Sequence, residues 1–280
     1  MSVATVLAIA NQKGGVGKTT TAVNLGVALA ERGMRVLLID VDPQGNATSG
    51  LGLPRQDPSV YDALLGDLAL DALVRTSGRA RLDVAPSSEA LAGAEIELVG
   101  VTGREYRLAR ALQPLDSRYE VVLIDCPPSL GLLTLNALTA AHGVIAPVQC
   151  EYLALEGLAQ LLKTVRLVHD HLNPRLTAMR VVMTMYDGRT NLSQQVVEQV
   201  RMHFPQLFYR SIIPRSVRVS EAPSHGLSVL EYDPHARAAT AYRNLADELL
   251  AEWQIAAQQE ITPLAASNAS LAGPSPTQER

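Results

Sequence analysis

The sequence predicts an α/β fold, a doubly wound and mostly parallel sheet with helices on both faces. Short runs of apolar, β-branched residues alternate with helical segments of about 10 to 15 residues, a pattern typical of βαβ crossovers. A glycine-rich turn joins the first apolar run to the first helix, and two later runs end in aspartate. Because open α/β sheets bind ligands at the carboxyl ends of their strands, these features indicate one polar site there.

Composition favours one aliphatic core. The chain has 280 residues, of which 47% are hydrophobic and 4% aromatic. We expect a single domain over residues 1–257, followed by a disordered tail at 258–280 that is rich in Ser, Asn, Pro and Gly and lacks periodicity. A net charge of −4 restricts any nucleic-acid contact to a local basic patch.

The two cysteines, Cys126 and Cys150, lack the spacing of metal ligands and are typical of core residues in a reducing cytoplasm. No stretch approaches the roughly 20 apolar residues of a membrane helix. We therefore expect a soluble, cytoplasmic protein with no membrane partner.

Hydrophobic periodicity gives the elements in order. Strands are predicted at residues 3–10, 35–40, 82–85, 120–125, 143–148, 179–184 and 208–213. Helices are predicted at residues 21–32, 60–65, 88–99, 105–115, 155–169 and 234–257. Residues 214–223 are predicted to form a polar loop at a strand end.

The glycine-rich turn has the composition of a phosphate-binding loop. It consists of Lys13, Gly14, Gly15, Val16, Gly17, Lys18, Thr19 and Thr20. Glycines let backbone N–H groups close around phosphate oxygens, and the following helix adds its positive dipole end. Lys18 would reach the β- and γ-phosphates and Thr19 would place its hydroxyl on Mg²⁺, so the loop is expected to hold ATP and Mg²⁺. The alternative is a glycine turn with two solvated lysines.

Carboxylates follow two predicted strands. Asp40 and Asp42 end the second strand, and Asp125 ends the run at residues 120–125. An acid at this position opposite a phosphate loop is suited to ordering the water shell of Mg²⁺. Each aspartate taken alone is also compatible with a simple cap for the next turn.

The loop departs from the ordinary phosphate-loop pattern, since Gln12 stands where the first glycine is expected and Lys13 opens the turn. In this it resembles the deviant Walker A ATPases of the ParA/MinD group. The segments at residues 151–157 and 215–223 are similar to those of the short ParA/Soj proteins that segregate chromosomes or plasmids.

The resemblance implies roles for particular residues. Lys13 would reach across an ATP-dependent homodimer to the partner's nucleotide, and Asp42 would position the attacking water and lie at the metal. Asp125 would be the Walker B acid. The adenine would pack on Pro214 and Arg215, with Met185 a further candidate.

The resemblance also implies partners. The ATP dimer would bind double-stranded DNA without sequence preference, through a basic patch that includes Arg189 and Arg218. A ParB-type centromere-binding protein would stimulate hydrolysis, and the protein would be associated with the nucleoid. Two rival functions remain, a MinD-like division-site or other cargo-positioning ATPase and a redox ATPase like the nitrogenase iron protein.

Overall fold

The computed structural model describes residues 4–115, 117–152 and 154–261, with side-chain environments up to Trp253. The strands are β1 Thr5–Ile9, β2 Val36–Asp40, β3 Arg75–Arg79, β4 Leu82–Ala85, β5 Val121–Asp125, β6 Gly143–Gln149, β7 Ala178–Tyr186 and β8 Phe208–Pro214. They form an eight-stranded sheet in the order β3-β4-β2-β5-β1-β6-β7-β8. Only the edge pair β3 and β4 is antiparallel. The predicted doubly wound, mostly parallel fold is confirmed.

Helices connect the strands. They are α1 Lys18–Glu31, α2 Asn46–Gly50, α3 Val60–Leu65, α4 Leu70–Leu73, α5 Leu91–Glu97, α6 Arg107–Leu112, α7 Leu132–Ala140, α8 Ala154–His171, α9 Asn191–His203, α10 Val217–Glu221, α11 Val229–Tyr232 and α12 Arg237–Ile261. Within the described ranges, no helix is both long and apolar enough to cross a membrane.

Two apolar clusters pack against the sheet, one on each face. One cluster contains side chains of α3 and of α5 to α9, and the other contains side chains of α1, α11 and α12. The central strands β2 and β5 are buried along their whole length. This explains why they read as continuous apolar runs, because helices cover a parallel sheet on both sides. Cys126 and Cys150 are free thiols buried in this core, as predicted.

Several elements differ from the sequence expectation. The edge strand β3 and the helices α2, α4, α7, α9 and α11 were not predicted, and residues 217–221, expected to be loop, form α10. The last helix, expected to end at residue 257, continues to Ile261. The predicted tail beyond that point, residues 262–280, lies outside the described residues.

Strand order brings the predicted site together. In the sheet β5 lies between β2 and β1, with Asp125 in register with both Asp40 and Ile9. The loop that follows β1 therefore lies next to the acids that end β2 and β5. The carboxyl edge of the three central strands is the place where loop and acids meet.

Candidate functional site

The phosphate loop connects β1 directly to α1. Gly15 and Gly17 have φ angles of 75° and 91°, in the left-handed region that favours glycine, and Gly17 caps the N-terminus of α1. Val16 is buried, and its carbonyl accepts a hydrogen bond of 2.8 Å from the Thr184 hydroxyl on β7. The loop is thus fixed as a tight backbone turn at a helix N-terminus, which is an anion-binding geometry.

Lys18 points into the site from the first turn of α1. Only 6% of the residue is exposed, and its Nζ donates to the Lys13 carbonyl at 3.3 Å. Burial lowers the pKa of Lys18, while the nearby Asp125, Cys126 and Asp42 act in the opposite direction. A phosphate bound beside this ammonium would favour the charged form of Lys18, which burial disfavours.

Asp40 is bonded within the protein. One of its carboxylate oxygens accepts from the Thr48 backbone N–H at 2.8 Å and the Thr48 hydroxyl at 2.7 Å, and the other accepts from the Asp42 N–H at 3.2 Å. Burial raises the pKa of Asp40 to about 6, although the Thr48 hydrogen bonds lower it. Asp40 therefore anchors α2 to the end of β2, a contact that its position in the sequence did not reveal.

Asp125 is the acid left without partners. Both of its carboxylate oxygens are buried and lack a hydrogen bond of ordinary geometry to any described residue, although the nearby Thr19 side chain acts to lower the pKa of Asp125. Burial, and then the neighbouring Asp40, hold the pKa of Asp125 well above its usual value. A buried carboxylate in this condition fits a cation, since unpaired buried acids are costly.

Asp42 is the least buried of the three aspartates in this cluster. It is 6% exposed, and its carboxylate accepts from the Gln44 N–H at 2.9 Å. The Ser87 hydroxyl, at 2.7 Å, and the Gly45 N–H, at 2.8 Å, hold its backbone carbonyl. The carboxylate thus sits on a well-fixed turn beside the phosphate loop.

The residues present fit Mg²⁺ that is bound together with a nucleotide. No group of three or more His, Cys, Asp or Glu side chains in the described ranges could hold a metal by itself. Mg²⁺ commonly takes one or two carboxylates, and its other ligands are waters and substrate phosphates. Asp125, with two orphaned oxygens, supplies the carboxylate that such a site needs.

A cavity of about 640 Å³ adjoins the phosphate loop, and we call it the base cavity. Met185, near the end of β7, has φ 53°, which is uncommon for a residue other than glycine and coincides with an irregularity in the pairing of β7 with β8. The Arg215 N–H donates to the Tyr186 carbonyl at 2.9 Å, joining the ends of β7 and β8. The lining includes Gly17, Thr20, Met185, Pro214, Arg215, Val219 and Tyr242, so the predicted adenine contacts do lie together beside the loop.

Lys13 has a partner within its own chain. Its Nζ lies 2.5 Å from Glu151 Oε2, and both side chains are partly exposed, at 41% and 46%. Gln149 Nε2 donates to the other Glu151 oxygen at 2.5 Å. The family resemblance implies a cross-subunit role for Lys13, but the sequence gives no sign of this pairing, because the two residues are far apart along the chain.

Arg189 and Arg218 line one cavity of about 840 Å³, together with Arg215 and Arg237, and we call it the arginine groove. Arg189 is 88% exposed and forms an ion pair with Asp187 at 2.7 Å. The hydrogen bond from Arg189 lowers the pKa of Asp187 to about 2.

Arg218 lies in helix α10 rather than in the predicted polar loop, because residues 217–221 complete a short helical turn. It pairs with Glu221 at 3.0 Å and with Asp233 at 3.5 Å. Both predicted DNA contacts thus share one groove, in which acidic residues already pair with part of the positive charge.

Sequence comparison agrees with this geometry. The family described as AAA domain (AAA_31) matches residues 4–178. The sporulation initiation inhibitor protein Soj of Bacillus subtilis is 56% identical over 248 residues, which cover 88% of this chain and 98% of Soj. The chromosome partitioning protein ParA of Caulobacter vibrioides is 54% identical over 250 residues, covering 88% of this chain and 93% of that protein.

A solved structure is also similar. It is named as cobyrinic acid a,c-diamide synthase from Mycobacterium smegmatis with bound ATP analog and magnesium. It has 44% sequence identity and a TM-score of 0.79, and the match covers 90% of this chain and 96% of that one. Fold and site together define a P-loop NTPase of the ParA/MinD class. Within that class, the chain belongs to the ParA/Soj family of chromosome-partitioning ATPases.

Proposed function

We propose that this protein is an ATP-hydrolysing DNA-segregation ATPase that works with Mg²⁺. The observation that carries the proposal is the meeting of Lys18, Asp42 and the unpartnered Asp125 at the mouth of a glycine turn, beside the base cavity. The Soj and ParA relatives are named as partitioning proteins, and the M. smegmatis structure is named with an ATP analog and magnesium.

The chain's own residues would divide the chemistry. The backbone of residues 14–17 and the Lys18 ammonium would hold the β- and γ-phosphates of ATP, and the adenine would pack on Pro214 and Arg215, with Met185 as a further candidate. Thr19, Asp42 and Asp125 would hold Mg²⁺, which would supply positive charge to balance the phosphate oxygens.

Asp42 also orients the attacking water, because its carboxylate sits on a fixed turn and is the least buried of the three aspartates. This assignment gives Asp42 two duties, one toward the metal and one toward the water. Variants of Asp42 should therefore be assayed both for nucleotide binding and for ATP hydrolysis, in separate measurements.

ATP would join two subunits face to face, with Lys13 leaving Glu151 to reach the partner's nucleotide. The dimer would bind double-stranded DNA non-specifically through the arginine groove of each subunit and so associate with the nucleoid in the cytoplasm. A ParB-type partner would stimulate hydrolysis and return the subunits to monomers.

Other functions have less support. A MinD-like or other cargo-positioning ATPase would share the nucleotide site, and binding to anionic vesicles would distinguish it. A redox role, or an amide transfer through a cysteine nucleophile, would need an accessible thiolate. Burial raises the pKa of both thiols in the sequence, Cys126 and Cys150, which disfavours these activities.

The deciding experiment compares DNA binding by the wild-type protein with ATP and with ADP.

We expect Asp42→Ala to bind ATP, hydrolyse it at least ~100-fold more slowly and remain on DNA, because the water loses its orienting carboxylate while the phosphate-binding loop remains. Filter binding with unrelated DNA sequences measures retention, and phosphate release measures turnover. Equal DNA binding with ATP and ADP would exclude the proposed cycle.

A further inference from the structure

Two segments of the chain cross at a pair of glycines, and we call this contact the glycine crossing. Gly52 follows α2 and Gly226 precedes α11, and their φ angles are 81° and 66°. A Cβ on Gly226 would lie 2.9 Å from the Cα of Gly52, closer than side-chain carbons approach backbone. The two backbones therefore pack directly against each other.

Arg79, on the edge strand β3, forms hydrogen bonds to both of the crossing segments. Its side chain is 14% exposed, and its Nε lies 2.8 Å from Glu231 Oε1. Its Nη2 donates to the Gly226 carbonyl at 2.6 Å, and its Nη1 donates to the carbonyls of Leu51 at 3.1 Å and Ser77 at 3.0 Å. One planar guanidinium thus joins the end of α2, the edge strand and the segment before α11.

Each side of the crossing carries a functional group. On one side, α2 begins directly after the turn of Asp42, and its Thr48 is bonded to Asp40. On the other side, α10 carries Arg218, which is bonded to Glu221, and a short 3-10 turn leads from there to Gly226. Arg79 is the polar contact that links these two sides.

The nucleotide can affect Arg218 in two ways. The base cavity touches Val217 and Val219 of α10, but adenine is the same in ATP and in ADP. Only the γ-phosphate end, next to Asp42, differs between the two nucleotides. A difference between the ATP and ADP states therefore starts at the residues around the γ-phosphate, because a ligand shifts a conformation only by differential interaction. Of these residues, the Asp42 segment continues through α2 to the glycine crossing.

We propose that Arg79 is a positioning residue that conveys the presence of the γ-phosphate from the Asp42 segment to the Arg218 surface. This inference rests on the proposed function. It adds a route within one subunit to the control of DNA binding that dimerisation provides.

Hydrogen exchange of the full chain tests this route. Lys13→Ala serves as the background, so that dimer contacts do not contribute. We expect the equilibrium constant for local opening of residues 217–232, measured by hydrogen exchange, to differ ~5-fold or more between a non-hydrolysable ATP analogue and ADP. Adding Arg79→Gln should bring this ratio to about 1, while both nucleotides still protect the phosphate loop to the same extent.

Arg75→Gln is the matched control, since Arg75 lies on the same strand but donates to the carbonyls of Gln56 and Pro58. It should keep the parental ratio. Glu231→Gln is a second variant, because it removes the charge facing Arg79 and leaves a side chain that still suits the capping box of α11. Its ratio should fall between those of the parent and Arg79→Gln.

An unchanged ratio in both Arg79→Gln and Glu231→Gln would overturn the inference, as would an equally large loss in Arg75→Gln. A ratio of 1 in the parental background would also overturn it. Failure of the proposed function would look different, since the phosphate loop would gain no protection from either nucleotide. That result would remove the inference together with its basis.

Discussion

At the level of single residues, we expect nucleotide binding to depend most on the Lys18 cation. Lys18→Ala should lower ATP affinity by ~100-fold or more, because the β- and γ-phosphate charge would lie uncompensated among backbone dipoles. Titration with a fluorescent ATP analogue measures this. Lys163→Ala, a change at an exposed lysine of α8, is the control and should bind as the wild type does. Similar affinities of the two variants would refute the role of Lys18.

Asp125 should make the nucleotide-free protein sensitive to pH. Its folded pKa is raised, so protonation stabilises the folded state, and the cost of its charge appears as pH rises through that pKa. Without Mg²⁺ and nucleotide, Asp125→Asn should therefore be more stable than wild type by about 1 to 3 kcal/mol at pH 8. The difference should shrink as pH falls toward about 4, the unfolded value.

Thermal unfolding across this pH range provides the measurement for Asp125→Asn. Asp71→Asn, at an exposed position of α4, is the control and should leave the melting temperature nearly unchanged. A variant that melts below wild type at pH 8, or whose advantage does not depend on pH, would contradict the assignment of an unpaired buried charge.

Residue types revealed much of the site but not its contacts. The glycines, Lys18 and the strand-end aspartates were recognisable because their chemistry depends on local order along the chain. The ion pair of Lys13 and Glu151 joins positions 138 residues apart, and the bonds of Thr48 to Asp40 form only because α2 packs on the end of β2. Such pairs depend on the tertiary fold, and one sequence without structure carries no signal for them.

At the level of elements, the pattern of burial explains which strands and helices could be predicted from the sequence. The central strands carry continuous apolar runs, whereas β3 has the sequence Arg-Thr-Ser-Gly-Arg and pairs on one side only. Most residues of helix α7 are buried, and its few polar residues do not form a separate face, so it lacks the periodicity that marks a helix. Helix α10 has five residues and buries none of them, which explains why its sequence resembled a loop.

The two elements that carry Arg189 and Arg218 should act together on DNA. Arg218→Ala should weaken binding equally for unrelated sequences and reduce the salt dependence by about 2 in slope, one phosphate contact for each subunit of the dimer. Affinity measured at several salt concentrations with the ATP dimer tests this. Arg189→Ala should behave similarly.

Arg110→Ala, a change at an exposed arginine of α6, is the control for both arginine variants. Its affinity and slope should match those of wild type. If Arg218→Ala dimerises and keeps its full DNA affinity, the DNA patch lies elsewhere, with Arg201 and Arg210 as the next residues to test.

At the level of the whole molecule, Lys13 should separate nucleotide binding from assembly. Lys13→Ala should bind ATP but remain monomeric, because it lacks the charge that would cross to the partner's phosphates. Light scattering with a non-hydrolysable ATP analogue distinguishes monomer from dimer. Glu151→Gln is the matched control, since it removes only the in-chain partner of Lys13 and should still dimerise. Normal dimers of Lys13→Ala would exclude the cross-subunit role.

Residues 214–217 line both the base cavity and the arginine groove. This shared wall has a genetic consequence. An allele altered there is expected to be pleiotropic, with defects in both nucleotide binding and DNA binding. Alleles that separate the two phenotypes should map to the outer walls, near Tyr242 for the base cavity and near Arg237 for the groove. A screen scored on chromosome loss alone would group all three classes together.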